Sequence, residues 1–203
     1  MNSLSTRIVS LALVTAATAL ASAQSASAAM VYSGNLNITI PASGSGVYVD
    51  IATFTSGTNP IAGWDMYIVG SANGLWLTAP SSALNYLRYP GSTSTGAGRF
   101  NVGTGSVVGA SGSYGAGSVV FGTEAGQWLA AGNNYFGFRF NIGSATHYGW
   151  GRINLTTAGN AKLLDLAYES VAGQSTYVGA IPAPGAMALL GLAGVAGRRR
   201  RRR

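Results

Sequence analysis

The chain predicts an all-β fold, an antiparallel β-sandwich or jelly-roll-like domain, and three observations carry that expectation. Apolar residues alternate with polar or small ones in several short runs. Clusters of Gly, Pro, Ser and Asn separate those runs. No convincing helical period lies between them, so crossover helices for a parallel sheet are missing.

Taken in order, Leu36-Asn-Ile38-Thr-Ile40 places its aliphatic residues at every second position. In Val47-Tyr-Val49-Asp-Ile51 the aliphatic residues share one face, with Tyr48 and Asp50 on the other. Trp64-Asp-Met66-Tyr-Ile68 repeats the pattern, which puts Trp64 with Met66 and Ile68. The segment 83–89 reads equally as a strand or a helical turn. Asn134 to Phe140 is the clearest strand, with Phe136, Phe138 and Phe140 opposing Tyr135, Gly137 and Arg139. His147 to Leu155 follows after a short connection, and the two segments suggest a hairpin. Last, Leu164, Leu166 and Tyr168 oppose Asp165 and Glu169.

Residues 91–127 differ. Eleven of these 37 are glycine, which raises the entropic cost of ordering them. Thr104-Gly-Ser-Val-Val108 and Ala116-Gly-Ser-Val-Val120 form a near repeat offset by twelve. The repeat reads either as adjacent strands of a surface ribbon or as short strands joined by glycine loops.

The net charge of +7 invites a nucleic-acid reading, but its distribution removes it. Six basic residues form the run Arg198, Arg199, Arg200, Arg201, Arg202 and Arg203. Between residues 30 and 180, Arg88, Arg99, Arg139, Arg152 and Lys162 balance Asp50, Asp65, Glu124, Asp165 and Glu169. Isolated cations do not make the clustered surface that displaces counterions from phosphates, so no nucleic-acid partner is expected. The chain has no cysteine, which excludes disulfides, thiolate metal sites and cysteine nucleophiles.

Residues 1–28 have the order of a secretory signal peptide. Arg7 precedes the apolar run Ile8 to Leu20, which is followed by the small-x-small sites Ala21-Ser-Ala23 and Ala26-Ser-Ala28. The apolar run is short for a membrane span, and cleavage after Ala28 is favoured. Residues 29–180 then form the β domain.

Catalytic patterns are sparse within it. His147 is the only histidine, so a multi-histidine zinc site is excluded, and no G-x-S-x-G elbow surrounds a serine. Asp50 and Asp65 lie on neighbouring predicted strands, but no carboxylate pair of a glycosidase stands out. No G-x-G-x-x-G or G-K-[ST] loop occurs. The expectation is no catalytic residue, no metal and no cofactor. On the predicted hairpin, Tyr148, Trp150 and Arg152 share a face, a candidate platform for glycan contact. Trp76 and Trp128 are further aromatics that such a role could use.

Residues 181–203 have three successive parts. Pro182-Ala183-Pro184 makes a stiff break. Gly185 to Gly197 is an uncharged run of thirteen residues, about 20 Å long if helical, against a hydrocarbon core of about 30 Å. The arginine run then stops translocation and favours the cytoplasmic side. This order resembles the PEP-CTERM sorting tail of Gram-negative and related bacteria, which joins a Pro-Glu-Pro-like motif, a short transmembrane helix and an arginine cluster. Pro182 and Pro184 match the motif's prolines, and Ala183 stands at the place of its glutamate. The stretch G-F-R-F…H-Y-G-W between Tyr135 and Leu155 is similar to stretches of β-rich domains that carry such tails.

The resemblance implies recognition by an exosortase, a membrane transpeptidase or protease, after signal peptidase has acted. It also implies transient residence in the inner membrane, cleavage near the prolines, and delivery to the cell surface or an exopolysaccharide matrix. The function expected is therefore a non-enzymatic exported protein. The alternatives are a secreted carbohydrate-binding module and, with less support, a secreted hydrolase.

Overall fold

The computed structural model describes residues 29–71, 74–78, 84–92, 99–156 and 160–182. The expected signal peptide, the apolar run, Ala183, Pro184 and the six terminal arginines lie outside the described residues. Among the described residues, fourteen strands form: β1 (Met30–Tyr32), β2 (Ile38–Ile40), β3 (Ser43–Asp50), β4 (Thr55–Gly57), β5 (Met66–Ser71), β6 (Gly74–Thr78) and β7 (Asn85–Leu87). They continue as β8 (Val107–Val108), β9 (Tyr114–Gly115), β10 (Gly117–Ser118), β11 (Gly132–Ile142), β12 (Ala145–Leu155), β13 (Ala161–Glu169) and β14 (Thr176–Tyr177).

Every paired strand is antiparallel to its neighbour. The larger sheet runs β1-β13-β12-β11-β7-β9, with β2 also on β13, and the smaller runs β10-β6-β5-β3-β4. A two-stranded ribbon pairs β14 with β8. The protein is thus an all-β domain of antiparallel sheets.

One apolar cluster draws on both main sheets. Val47, Val49, Met66, Ile68, Leu75 and Leu77 of the smaller sheet pack with Phe136, Phe138, Phe140, Ile153, Leu163 and Leu166 of the larger. The hairpin β11–β12 is organised by size complementarity. Its register sets Phe136 opposite Gly151, Phe138 opposite Gly149 and Phe140 opposite His147. Each of the first two rings therefore faces a strand position with no side chain. Gly143 takes a φ of 62° at the first position of the two-residue turn, where a tight hairpin loop favours glycine.

A second cluster covers the other face of the larger sheet. It contains Leu87, Val102, Val108, Tyr148, Trp150, Ala167 and Val178, with Met30, Tyr32, Tyr114 and Tyr135 packed against it. The Arg139 guanidinium lies 4.7 Å from the centre of the Tyr114 ring, a cation–π contact.

Two local expectations change, and one open reading is resolved as a strand. The β12–β13 register shifts between Arg152 and Ile153, so that Arg152 faces Asp165 while Ile153 faces Leu163. Leu164 is the extra residue, and such a bulge reverses face parity. Leu163, Leu166 and Tyr168 therefore enter the core, and Leu164 does not. Trp64 precedes β5 and packs against Tyr48 and Tyr67, away from Met66 and Ile68. Residues Asn85–Leu87 form a strand.

The near repeat does not build one ribbon. Val107–Val108 pairs with β14, whereas Gly117–Ser118 of the second copy pairs with β6. Among its described residues the glycine-rich region holds three two-residue strands, β8, β9 and β10.

Alkaline pH tests the packing of the tyrosines. Burial pushes the phenol of Tyr86 well above its ordinary value and that of Tyr114 up to about 12. Burial also raises Tyr32 and Tyr168. Unfolded phenols ionise near pH 10, so above it the unfolded chain loses protons that the folded chain keeps. Stability is expected to hold up to about pH 10 and fall above it. Denaturant midpoints across this range, with tyrosinate absorbance appearing as the fold is lost, check the prediction.

Candidate functional site

The sequence places Tyr148, Trp150 and Arg152 on one face of β12, and the structure keeps that parity. Tyr148 and Trp150 are buried, the latter only 2% exposed, because the second cluster lies over them. Trp150 donates its indole N–H to the Ala180 carbonyl at 3.1 Å. Its ring stacks with Tyr32 at a centroid separation of 6.3 Å and an angle of 29°. Neither ring of this pair of candidates presents an open platform to solvent. Trp128 is fully buried and stacks on Phe136. Trp76 is 40% exposed.

One edge of Trp150 lines a pocket of about 190 Å³, together with Tyr32, Tyr135, Arg152, Asp165 and Ile181. Ordinary small-molecule sites occupy about 300–1,000 Å³, so this one suits a small polar group. Arg152 donates from Nε to Asp165 Oδ1 at 3.2 Å and from Nη2 to Asp165 Oδ2. Tyr32 donates its hydroxyl to Oδ2 at 3.2 Å. The Asp165 side chain is 2% exposed and that of Arg152 31%. The hydrogen bonding that Arg152 donates to Asp165 raises the guanidinium pKa. For Tyr32, burial is the leading cause of the upward shift, followed by the Asp165 charge. The two charges satisfy each other, so the pocket floor is a closed ion pair.

His147 lies inside the fold, 6% exposed, with Nδ1 at 2.9 Å from the Glu169 carbonyl. Its ring packs beside Phe140 and Tyr168, a structural setting within a strand. Asp50 and Asp65 are neighbours at one end of the smaller sheet. Asp50 Oδ1 accepts from the Thr53 amide at 3.1 Å, and Asp65 Oδ2 from the Ile51 amide at 3.0 Å. Partial burial raises the Asp65 pKa, the Ile51 amide opposes the rise, and the Asp50 charge adds to it. Among the described residues, no group of three or more His, Cys, Asp or Glu is placed to hold a metal ion.

Sequence patterning did not reveal the Tyr32 contact to the ion pair, because Tyr32 lies 133 residues from Asp165 and meets it through the β1–β13 edge. The pocket borders the point where the chain leaves the domain. Val178 donates to Ser106 O at 2.9 Å and accepts from Gly105 N at 2.8 Å. Beyond Ala180, Ile181 and Pro182 are exposed.

No family model matches the chain, and neither a curated protein nor a solved structure shows significant similarity to it.

Proposed function

We propose that this is a non-enzymatic exported protein, a two-layer β-sandwich sorted to the cell surface or exopolysaccharide matrix by a processed C-terminal anchor. The observation that carries the proposal is the three-part tail from Pro182 to Arg203. A marginal apolar span ended by arginines suits a chain that pauses in the inner membrane and is then cut there by an exosortase-like enzyme. The Trp150–Ala180 hydrogen bond holds the chain two residues before Pro182. An enzyme acting near the prolines would therefore cut outside the packed fold.

The other end supports the same reading. Ala29 accepts a hydrogen bond from Ser170 at 3.0 Å, and β1 starts at Met30. Signal peptidase cutting after Ala28 would leave every β1 pairing in place. The sandwich rests on the apolar cluster shared by the two main sheets.

Mass spectrometry of the termini of the surface-located protein tests the proposal. The expected mature chain starts at Ala29, ends near Pro182–Pro184 and lacks all six terminal arginines. A surface-located chain still ending at Arg203 would overturn the processing step. Replacing the six arginines by alanine is expected to leave the tail uncut and to reduce the cell-surface fraction.

A further inference from the structure

The smaller sheet has one face in the core and one face outward. Its inward residues are Val47, Val49, Met66, Ile68, Leu75 and Leu77. Strand alternation sends Tyr48, Tyr67, Val69, Trp76 and Thr78 the other way, and all are at least partly exposed. Register aligns them in two adjacent rows. Tyr48 faces Tyr67, which faces Thr78, while Gly46 faces Val69, Trp76 and Ser118 in succession.

The rings on this face form a connected surface. Tyr48 and Tyr67 stack at 4.2 Å and 24°, and Trp64 meets Tyr48 edge-on at 4.8 Å. Two glycines let rings recline on the sheet. A Cβ on Gly46 would collide with the Tyr67 ring, and one on Gly74 would sit 3.7 Å from Trp76 Cη2. Tyr67 contacts both Gly46 and the Tyr48 ring, whereas Trp76 is 40% exposed.

The charge pattern selects the occupant. The five strands contain no lysine or arginine, and Asp50 ends β3 beside Asp65, which precedes β5. Such a face repels acidic polysaccharides and nucleic acids, which require clustered cations. Among the strand residues on this face the aliphatic side chain is Val69. Flat π faces that accept sugar C–H groups, flanked by Thr78 and Ser118, suit an uncharged carbohydrate. The geometry points to a docking surface for a neutral polysaccharide chain, with sugar rings stacked on Trp76 and on the Tyr67–Tyr48 pair.

Depletion of the chain from solution by microcrystalline cellulose, chitin and insoluble dextran, with calcium alginate beads as the acidic probe, tests this, the six terminal arginines being replaced by alanine so that they do not bind alginate themselves. Binding to at least one neutral probe and none to alginate is expected. Trp76→Ala and Tyr67→Ala should each weaken it about tenfold or more, the scale of an aromatic hot spot. Trp76→Phe, which keeps a ring face, should retain most of the binding. Because Trp76 is 40% exposed, its truncation leaves the core intact, and near-ultraviolet circular dichroism verifies that for each variant.

Absence of binding to all neutral probes, preference for alginate, or loss on Trp150→Phe but not on Trp76→Ala would overturn the assignment. So would a dimer in sedimentation that Trp76→Ala dissolves, since a second copy would then own the face. The assay reads binding by the purified chain without its arginine run, so failure of C-terminal processing leaves its result unaffected.

Discussion

Gly149→Ala is expected to lower the stability of the domain by about 3 kcal/mol, the upper part of the range for overpacking a core. A Cβ at this position would lie 2.5 Å from the Ala167 carbonyl oxygen and 2.5 Å from Phe138 Cζ. The first contact is backbone in the neighbouring strand β13 and yields only if the sheet shifts. The second is a fully buried ring held between Phe136 and Phe140. Removing glycine's freedom in the unfolded chain returns only about 0.4–1 kcal/mol. Gly151→Ala is expected to cost less, about 1–2 kcal/mol. Its nearest neighbours are side chains, the Phe136 ring and Leu166 Cδ2. Urea denaturation at constant m-value reads both changes. For Gly149→Ala the melting temperature should drop by about 6–12 °C. Equal effects at the two glycines would mean that the Ala167 carbonyl does not limit the site, and a neutral Gly149→Ala would mean that the Phe138 ring does not lie against the strand.

That hairpin shows which parts of the fold the sequence made legible. Phe136, Phe138 and Phe140 declare one face because their side chains repeat every second residue. Gly149 and Gly151 carry no side chain, so their role is visible only once register sets them opposite the rings. Parity likewise placed Tyr148, Trp150 and Arg152 together, yet parity cannot say what covers a face. The cover is supplied by residues remote in sequence, including Met30, Tyr32, Val108 and Val178. Leu164 misled because a bulge changes no residue type and leaves the alternation looking intact. Trp64 misled because the strand starts two residues later than the pattern suggested. The outward aromatic face was half legible: Tyr48 and Tyr67 alternate with aliphatic residues, but their stacking depends on the pairing of β3 with β5.

Arg152→Met is expected to destabilise the domain by about 3 kcal/mol, the low end for breaking a buried ion pair. The loss comes from what remains. Asp165 is 2% exposed, and without the guanidinium its carboxylate keeps only the Tyr32 hydroxyl among these two partners. The low-end value follows from the position of Arg152, whose side chain is 31% exposed, so that solvent screens part of the attraction. Tyr32→Phe removes one hydrogen bond from the same carboxylate and is expected to cost about 1 kcal/mol. It also tests whether β1 is held by more than its backbone ladder, since Tyr32 ends that strand. The double variant Arg152→Met with Asp165→Leu removes both charges and should recover most of the loss, because apolar replacements of similar size avoid desolvating either ion. A double-mutant cycle on denaturation free energies isolates the coupling. A loss under about 0.5 kcal/mol for Arg152→Met, the scale of a surface pair, would show that water enters the pocket freely and solvates Asp165. A double variant less stable than either single one would show instead that shape, more than charge, holds β1, β12 and β13 together at the point where the tail departs.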